Sequence, residues 1–292
     1  MKNQIYQFFG KFLFLAFAVL LITTSCDTND SISDTESAAL MQSEAADILE
    51  IENIEESIDD LIESLSFDLD QVDLLKSNNS KLYVNPRKIP ECATISASIS
   101  DKTIIITLDF GAACQTEFEN VLGGKIHIQI VHNADEGKMM IEHTFEDFTF
   151  NEKQLEGTVT KERNRRVNAT PSYSIIHKEL KITWENDSFS LIKSDRKREW
   201  IGGFDNQIWS DNVYLVTGNS KITRKNGKTK TILITEALRR EAFCKNIVSG
   251  KLEITKDDTS SILDYGEGEC DDLATLTIGD IVTIIELKRK HR

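Results

Sequence analysis

The sequence has few of the residues that mark fibrous, disordered or nucleic-acid-binding chains. Only 3 of its 292 residues are proline and 14 are glycine, which argues against collagen-like and proline-rich chains. With 40% hydrophobic residues the chain is too apolar for wholesale disorder. Its formal net charge of −14 argues against the basic surface that nucleic acids require. We expect a folded protein that has no nucleic-acid partner.

Recognisable catalytic motifs are also missing. The chain contains no G-x-S-x-G, P-loop, G-x-G-x-x-G or H-E-x-x-H pattern. The histidines on predicted strands are not spaced as metal ligands are, and we expect them on solvated faces. They are His127, His132, His143 and His177. We therefore predict a non-enzymatic binding or structural role. A hydrolase on a β scaffold is an alternative, because folding alone could bring two carboxylates together.

One segment lacks basic residues altogether. Residues 27–75 carry 16 acidic side chains and no basic one, whereas residues 76–292 carry 32 of each sign. Within the acidic segment an apolar stripe recurs at helical spacing, at Ile51, Ile54, Ile58, Leu61, Ile62 and Leu65. Because like charges fill the other face, we expect a marginal, solvated helix whose stripe docks on the main domain.

No hydrophobic run is long enough to span a membrane comfortably. The longest, residues 12–22, has 11 residues and follows Lys2 and Lys11, as in a secretory signal. Cys26 follows small residues and resembles the lipidated cysteine of bacterial lipoproteins. A plain signal peptide cut near Ser25 is the alternative. We predict a membrane anchor through lipid on Cys26 and a cell-envelope location at the outer membrane, on its periplasmic or surface face.

The predicted organisation has three parts. Residues 1–25 form a lipoprotein signal peptide, residues 26–85 an acidic spacer with an amphipathic helix, and residues 86–292 an antiparallel β domain. Alternating apolar and polar residues and short turns predict a mainly β meander of about a dozen strands, folded as a sandwich or a curved, partly open barrel. Asn226-Gly227 predicts a hairpin with a type I′ turn. We expect a monomer.

Four cysteines remain after Cys26. They allow three pairings, and the spacing favours Cys92–Cys114 and Cys244–Cys270, since each of these pairs brackets a predicted hairpin. Bridges at these points would agree with an exported chain. Zinc binding is the alternative, but no C-x-x-C or paired histidine supports it.

Two similar strings, LDFGAAC at residues 108–114 and LDYGEGEC at residues 263–270, form an internal echo. We expect Asp109 with Gly111, and Asp264 with Gly266, to make tight turns in which the aspartate bonds the turn backbone. We expect no cofactor. Calcium is the alternative, because the second string is rich in carboxylates at Asp264, Glu267, Glu269, Asp271 and Asp272.

Basic side chains cluster on neighbouring predicted strands: Arg163, Arg165, Arg166, Arg196, Lys197 and Arg198. The simplest interpretation is cross-strand pairing with Glu162, Asp195 and Glu199. The alternative is a ligand-binding patch in which Arg196 and Arg198 receive an anion and Trp184, Trp200 and Trp209 provide stacking surfaces. Such a patch would suit a glycan or an envelope protein partner.

Several motifs together carry a family resemblance. KREWIGGFD at residues 197–205, the LDFG and DYGEGECD turns, CKNIVSGKLEIT at residues 244–255 and the cysteine after the signal resemble a family of β-rich lipoproteins from Bacteroidota. The resemblance implies an exported, lipid-anchored β protein. It implies no defined activity and no catalytic residues.

Overall fold

A computed structural model describes residues 29–71, 89–100, 103–133, 136–164, 172–204, 206, 208–257 and 259–287; within the helix it describes the side chains of residues 43 and 45–65. One helix, α1 (Asn29–Gln71), precedes fourteen strands. The strands are β1 (Thr94–Ser100), β2 (Thr103–Asp109), β3 (Cys114–Gln115), β4 (Val121–Asn133), β5 (Lys138–Phe150), β6 (Lys153–Asn164), β7 (Tyr173–Thr183), β8 (Phe189–Gly202), β9 (Val213–Arg224), β10 (Thr229–Glu241), β11 (Ser249–Lys256), β12 (Thr259–Glu267), β13 (Leu273–Ile278) and β14 (Ile281–Glu286).

The strands form one open antiparallel sheet in chain order. Each strand pairs with its sequence neighbours, except that β2 pairs directly with β4 and the short β3 pairs with β4 alone. The predicted mainly β meander is confirmed. The sandwich alternative is wrong, because a single continuous sheet replaces two facing ones.

Short turns keep the meander antiparallel. The Asn226-Gly227 hairpin joins β9 to β10, and Asp187 occupies the equivalent place between β7 and β8. The first turn is not type I′, since of its described residues only Gly227 has a positive φ, of 80°. Gly279-Asp280 makes a further turn, which joins β13 to β14.

The echoed turns form as predicted. The backbone N–H of Gly111 donates to Asp109 Oδ1 and that of Gly266 donates to Asp264 Oδ1, each at 2.9 Å. Gly111 and Gly266 have φ of 61° and 91°, in the region that glycine enters without steric cost. The aspartate therefore has the same local role in both strings.

Both predicted disulfides are confirmed. Cys92 is bonded to Cys114 and Cys244 to Cys270, with Cα atoms 5.6 and 5.7 Å apart. The first closes the base of the β1–β2 hairpin, and the second closes the base of the β11–β12 hairpin. A disulfide that closes a loop of this length stabilises the fold by roughly 3 kcal/mol, because it lowers the chain entropy of the unfolded state.

Contacts divide the chain into two compact units, Met1–Leu40 and Met41–Arg292. Of the first, the structure describes the part of α1 that begins at Asn29. The second contains the remainder of α1 and the whole sheet. In the described part of the chain, no helix combines the length and apolar character that crossing a membrane would require.

Between Ile51 and Leu65, helix α1 is buried in the second unit on both its apolar and its acidic face. Its apolar stripe belongs to the same hydrophobic core as side chains from β2 through β14. Six of its acidic side chains are buried as well, none more than 9% exposed: Glu52, Glu55, Glu56, Asp59, Asp60 and Glu63. The expectation of a solvated acidic face is wrong. Since one continuous sheet covers opposite faces of the helix, the sheet curves around it.

Candidate functional site

The most chemically unusual feature of the molecule is the interface between the acidic face of α1 and the inner face of the sheet. The acids of residues 52–63 recur at three- and four-residue steps, so they lie on one side of the helix. Alternation along a strand gives β7 an inner row of Ser174, Ile176, Lys178 and Leu180. A lysine thus lies among apolar neighbours, facing the helix.

Six buried bases from four strands face the six buried acids. They are Lys161, Arg163, Lys178, Arg196, Arg198 and Arg240, each 3–4% exposed. We name these twelve residues the charged core. A further buried base, Lys230 of β10, lies on the same inner face of the sheet. Pairing matters here because an unpaired charge in such a place is strongly unfavourable.

The pairs follow the helix from Glu52 to Glu63. Arg196 Nη2 lies 2.6 Å from Glu52 Oε1, and Lys178 Nζ lies 2.7 Å from Asp59 Oδ2. Asp60 is shared, with Arg198 Nη2 on one oxygen and Arg240 Nη2 on the other, each at 2.6 Å. Lys161 and Arg163 both bind Glu63. Every pair joins the helix to a strand, and the sheet is thereby fixed to residues 52–63 of α1.

The charged core shifts the pKa values of its carboxyl groups in different directions. Burial alone would raise the pKa of Glu63, but Lys161 and Arg163 outweigh it and hold that pKa at about 2. Burial dominates at Glu55 and raises its pKa to about 7, since Lys178 is 3.8 Å away and neither carboxylate oxygen has a hydrogen-bond partner. Glu55 is therefore the least satisfied acid of the set.

His143 of β5 lies beside the charged core. It is 2% exposed, both ring nitrogens lack a hydrogen-bond partner, and burial lowers its pKa to about 4. The expectation that this histidine is solvated is wrong, because its strand position faces inward. The charged groups that act on it are Asp59, Lys178 and Lys161.

Acidification should therefore change the contributions of His143 and Glu55 to the stability of the fold in opposite directions. The stabilising contribution of His143, whose folded pKa is depressed, is present above about pH 6.5 and is lost as the pH falls through about 4. That of Glu55, whose folded pKa is raised, is present below about pH 4.5 and is lost as the pH rises through about 7.

Urea unfolding at pH 7.5 and pH 4.5 tests this. On acidification from pH 7.5 to pH 4.5 we expect the free energy of unfolding of His143→Phe to rise by about 2–3 kcal/mol. That of Glu55→Gln should fall by a similar amount. The free energy of unfolding of the wild type should change little, because the contributions of His143 and Glu55 offset each other. Parallel pH profiles for the three proteins would contradict the assignment.

The basic residues singled out from the sequence are divided by the fold. Arg163, Arg196 and Arg198 point inward into the charged core rather than forming an exposed patch. Lys197 pairs with Glu199 at 2.7 Å on the outer face. Arg165 and Arg166 lie outside the described residues. The predicted cross-strand pairing with Glu162, Asp195 and Glu199 thus applies to none of the three inward arginines, whose acidic partners come from the helix.

The tryptophans do not form a row on one face. Trp200 stacks on Tyr214, with ring centroids 6.2 Å apart, and Trp209 is 4% exposed in the same small cluster. Trp184 lies elsewhere, beneath the Arg224 guanidinium at 5.7 Å. Two of the indole N–H groups are engaged: Trp184 donates to Ser190 and Trp200 to Asn212.

The acidic turn near β13 has internal partners. Besides the Gly266 contact of Asp264, Asp271 Oδ1 accepts from the Leu273 N–H and Asp272 Oδ1 accepts from Asn246. Within the residues that the structure describes, no group of three or more His, Cys, Asp or Glu side chains is placed to hold a metal ion. Cys26 lies outside the described residues, as does the signal segment.

Sequence reasoning missed three of the six bases of the charged core. Lys161, Lys178 and Arg240 were not singled out, although the signal was present: each interrupts an apolar row on the inner face of its strand. A basic residue on such a row needs a buried partner. The acidic segment could supply such a partner, because its carboxylates have no basic residue to pair with inside the segment.

Comparison with protein-family models, with curated proteins and with solved structures finds no match to this chain. Its function must therefore be argued from the residues themselves. The carboxylates of the charged core are buried and face bases of the sheet. The interface therefore joins the helix to the sheet and is not a surface open to substrates.

Proposed function

We propose that this protein is an exported, lipid-anchored component of the cell envelope with a non-enzymatic binding or structural role, similar to the β-rich lipoproteins of Bacteroidota. The observation that carries the proposal is the pair of disulfides. Disulfides persist in oxidising compartments and are rare in the cytosol. They agree with the short hydrophobic run at residues 12–22.

The anchor we propose is lipid on Cys26. This cysteine directly follows small residues after the hydrophobic run, and α1 begins three residues later at Asn29. Acyl chains contribute roughly 0.8 kcal/mol for each buried CH₂, so two or more chains hold a protein firmly at a membrane. The outer membrane is the location we propose.

Replacing the anchor residue tests the proposal. Cys26→Ser should move the protein from the membrane fraction to the soluble fraction of the cell, because no acyl chain can be attached to serine by this route. Ser25→Ala is the matched control: it keeps a small residue before the cysteine and should leave the protein in the membrane fraction. Retention of Cys26→Ser in the membrane fraction would refute lipid anchoring.

A further inference from the structure

A cleft of about 390 Å³ opens beside α1, within the size range of small-molecule sites. Five elements meet there: the helix around Ser43–Ser57, the β5–β6 turn, the β10–β11 loop, β12 at Tyr265, and the end of β14. The cleft lies outside the disulfides and the tryptophan cluster already described.

One side of the cleft is apolar. It is lined by Leu49 and Ile54 of α1, by Ile247, and by Ile285 and Leu287 at the end of the sheet. These side chains are buried or half-buried and belong to, or pack against, the main core. A hydrocarbon group placed here would extend the core outward, which favours binding in proportion to the apolar area removed from water.

The acidic side chains that line the cleft are already engaged. Asp47 pairs with Arg224 at 2.7 Å and Glu50 pairs with Lys153 at 2.9 Å. Glu52 and Glu56 face the arginines of the charged core, and Glu286 is also in contact with another group. Two of the lining bases, Lys153 and Arg240, are likewise matched by Glu50 and Asp60.

Lys245 is different. It lines this cleft and the smaller cavity next to it, and within the described chain its ammonium group has no hydrogen-bond or ion-pair partner. Its loop is firmly held: Cys244 is in a disulfide, and the Arg240 guanidinium donates to the carbonyls of Cys244 and Asn246. Asn246 in turn donates to Asp272. The chain thus presents an unmatched positive charge from a fixed position beside an apolar wall.

We propose that this cleft binds a small amphipathic organic anion, with its carboxylate on Lys245 Nζ and its hydrocarbon chain along the apolar wall. A charge-assisted hydrogen bond from a lysine to a carboxylate is among the stronger polar contacts. The inference deepens the binding role proposed above and does not depend on the lipid anchor.

Calorimetric titration with dodecanoate, below its micelle concentration, tests the inference. The protein used is the chain from Asp27 onward, which retains the whole unit Met41–Arg292. We expect saturable binding with one site. Lys245→Met should weaken dodecanoate binding by about tenfold or more and leave dodecanol binding within about twofold, because only the charged contact is lost.

Two further variants locate the site. Lys228→Met removes an exposed lysine from the β9–β10 turn and should bind dodecanoate as the wild type does. Ala46→Trp places a large side chain in the cleft from an exposed helix position and should abolish binding of both dodecanoate and dodecanol.

Three results would overturn the proposal: no saturable dodecanoate binding, unchanged binding by Lys245→Met, or inorganic phosphate binding as tightly as dodecanoate. The last would show that the apolar wall contributes nothing. Because the chain begins after Cys26, failure here is distinct from failure of lipid anchoring.

Discussion

A chain that starts at residue 72, after α1, should lose cooperative folding. Removing the helix would deprive the six bases of the charged core of their acidic partners and would expose the apolar inner face that packs on Ile51–Leu65. Breaking one buried pair already costs about 3–5 kcal/mol, and whole domains have only about 5–15 kcal/mol of stability. Thermal unfolding followed by circular dichroism should show no sharp transition.

The matched control is a chain that starts at Met41, the first residue of the large compact unit. It keeps the helix residues of the charged core and should melt as cooperatively as the longer protein. If the chain from residue 72 melted at the same temperature as this control, α1 would be a dispensable spacer, as the acidic segment alone suggests.

Much of the sheet could be predicted because its determinants are local. Asn226-Gly227 marks a hairpin between residues that are adjacent in sequence, and each disulfide joins the two ends of one hairpin. The paired aspartate and glycine of the echoed turns act over two residues. Short-range patterns of this kind fix strand order once every connection is brief.

The charged core could not be predicted in this way, because its partners are distant in sequence. Glu63 and Lys161 are 98 residues apart, and Glu52 and Arg196 are 144 apart. A local pattern shows an acidic face without partners, for which solvation is the usual outcome. Only the closing of the sheet around α1 supplies the bases. The same long separations explain why Arg196 and Arg198 resembled a surface patch.

The pair Glu52–Arg196 allows the most direct measurement of the interaction energy between α1 and the sheet. Both side chains are 3% exposed, and their charged atoms are 2.6 Å apart. Glu52→Leu should destabilise the protein by about 3–5 kcal/mol, because Arg196 keeps its buried charge and retains only the hydroxyls of Ser194 and Ser220 as partners. Arg196→Met should cost a similar amount, since it leaves the Glu52 carboxylate buried.

The double variant Glu52→Leu, Arg196→Met should be far more stable than the sum of the two changes, because no unpaired charge remains. From urea unfolding we expect a coupling energy of at least about 2 kcal/mol. Lys193 of the same strand pairs with Glu179 at 2.9 Å, but both side chains are 73% exposed. The corresponding cycle with alanine should give a much smaller coupling energy, because solvent screens an exposed pair. Equal coupling in the two cycles would mean that burial does not strengthen the contact between α1 and the sheet.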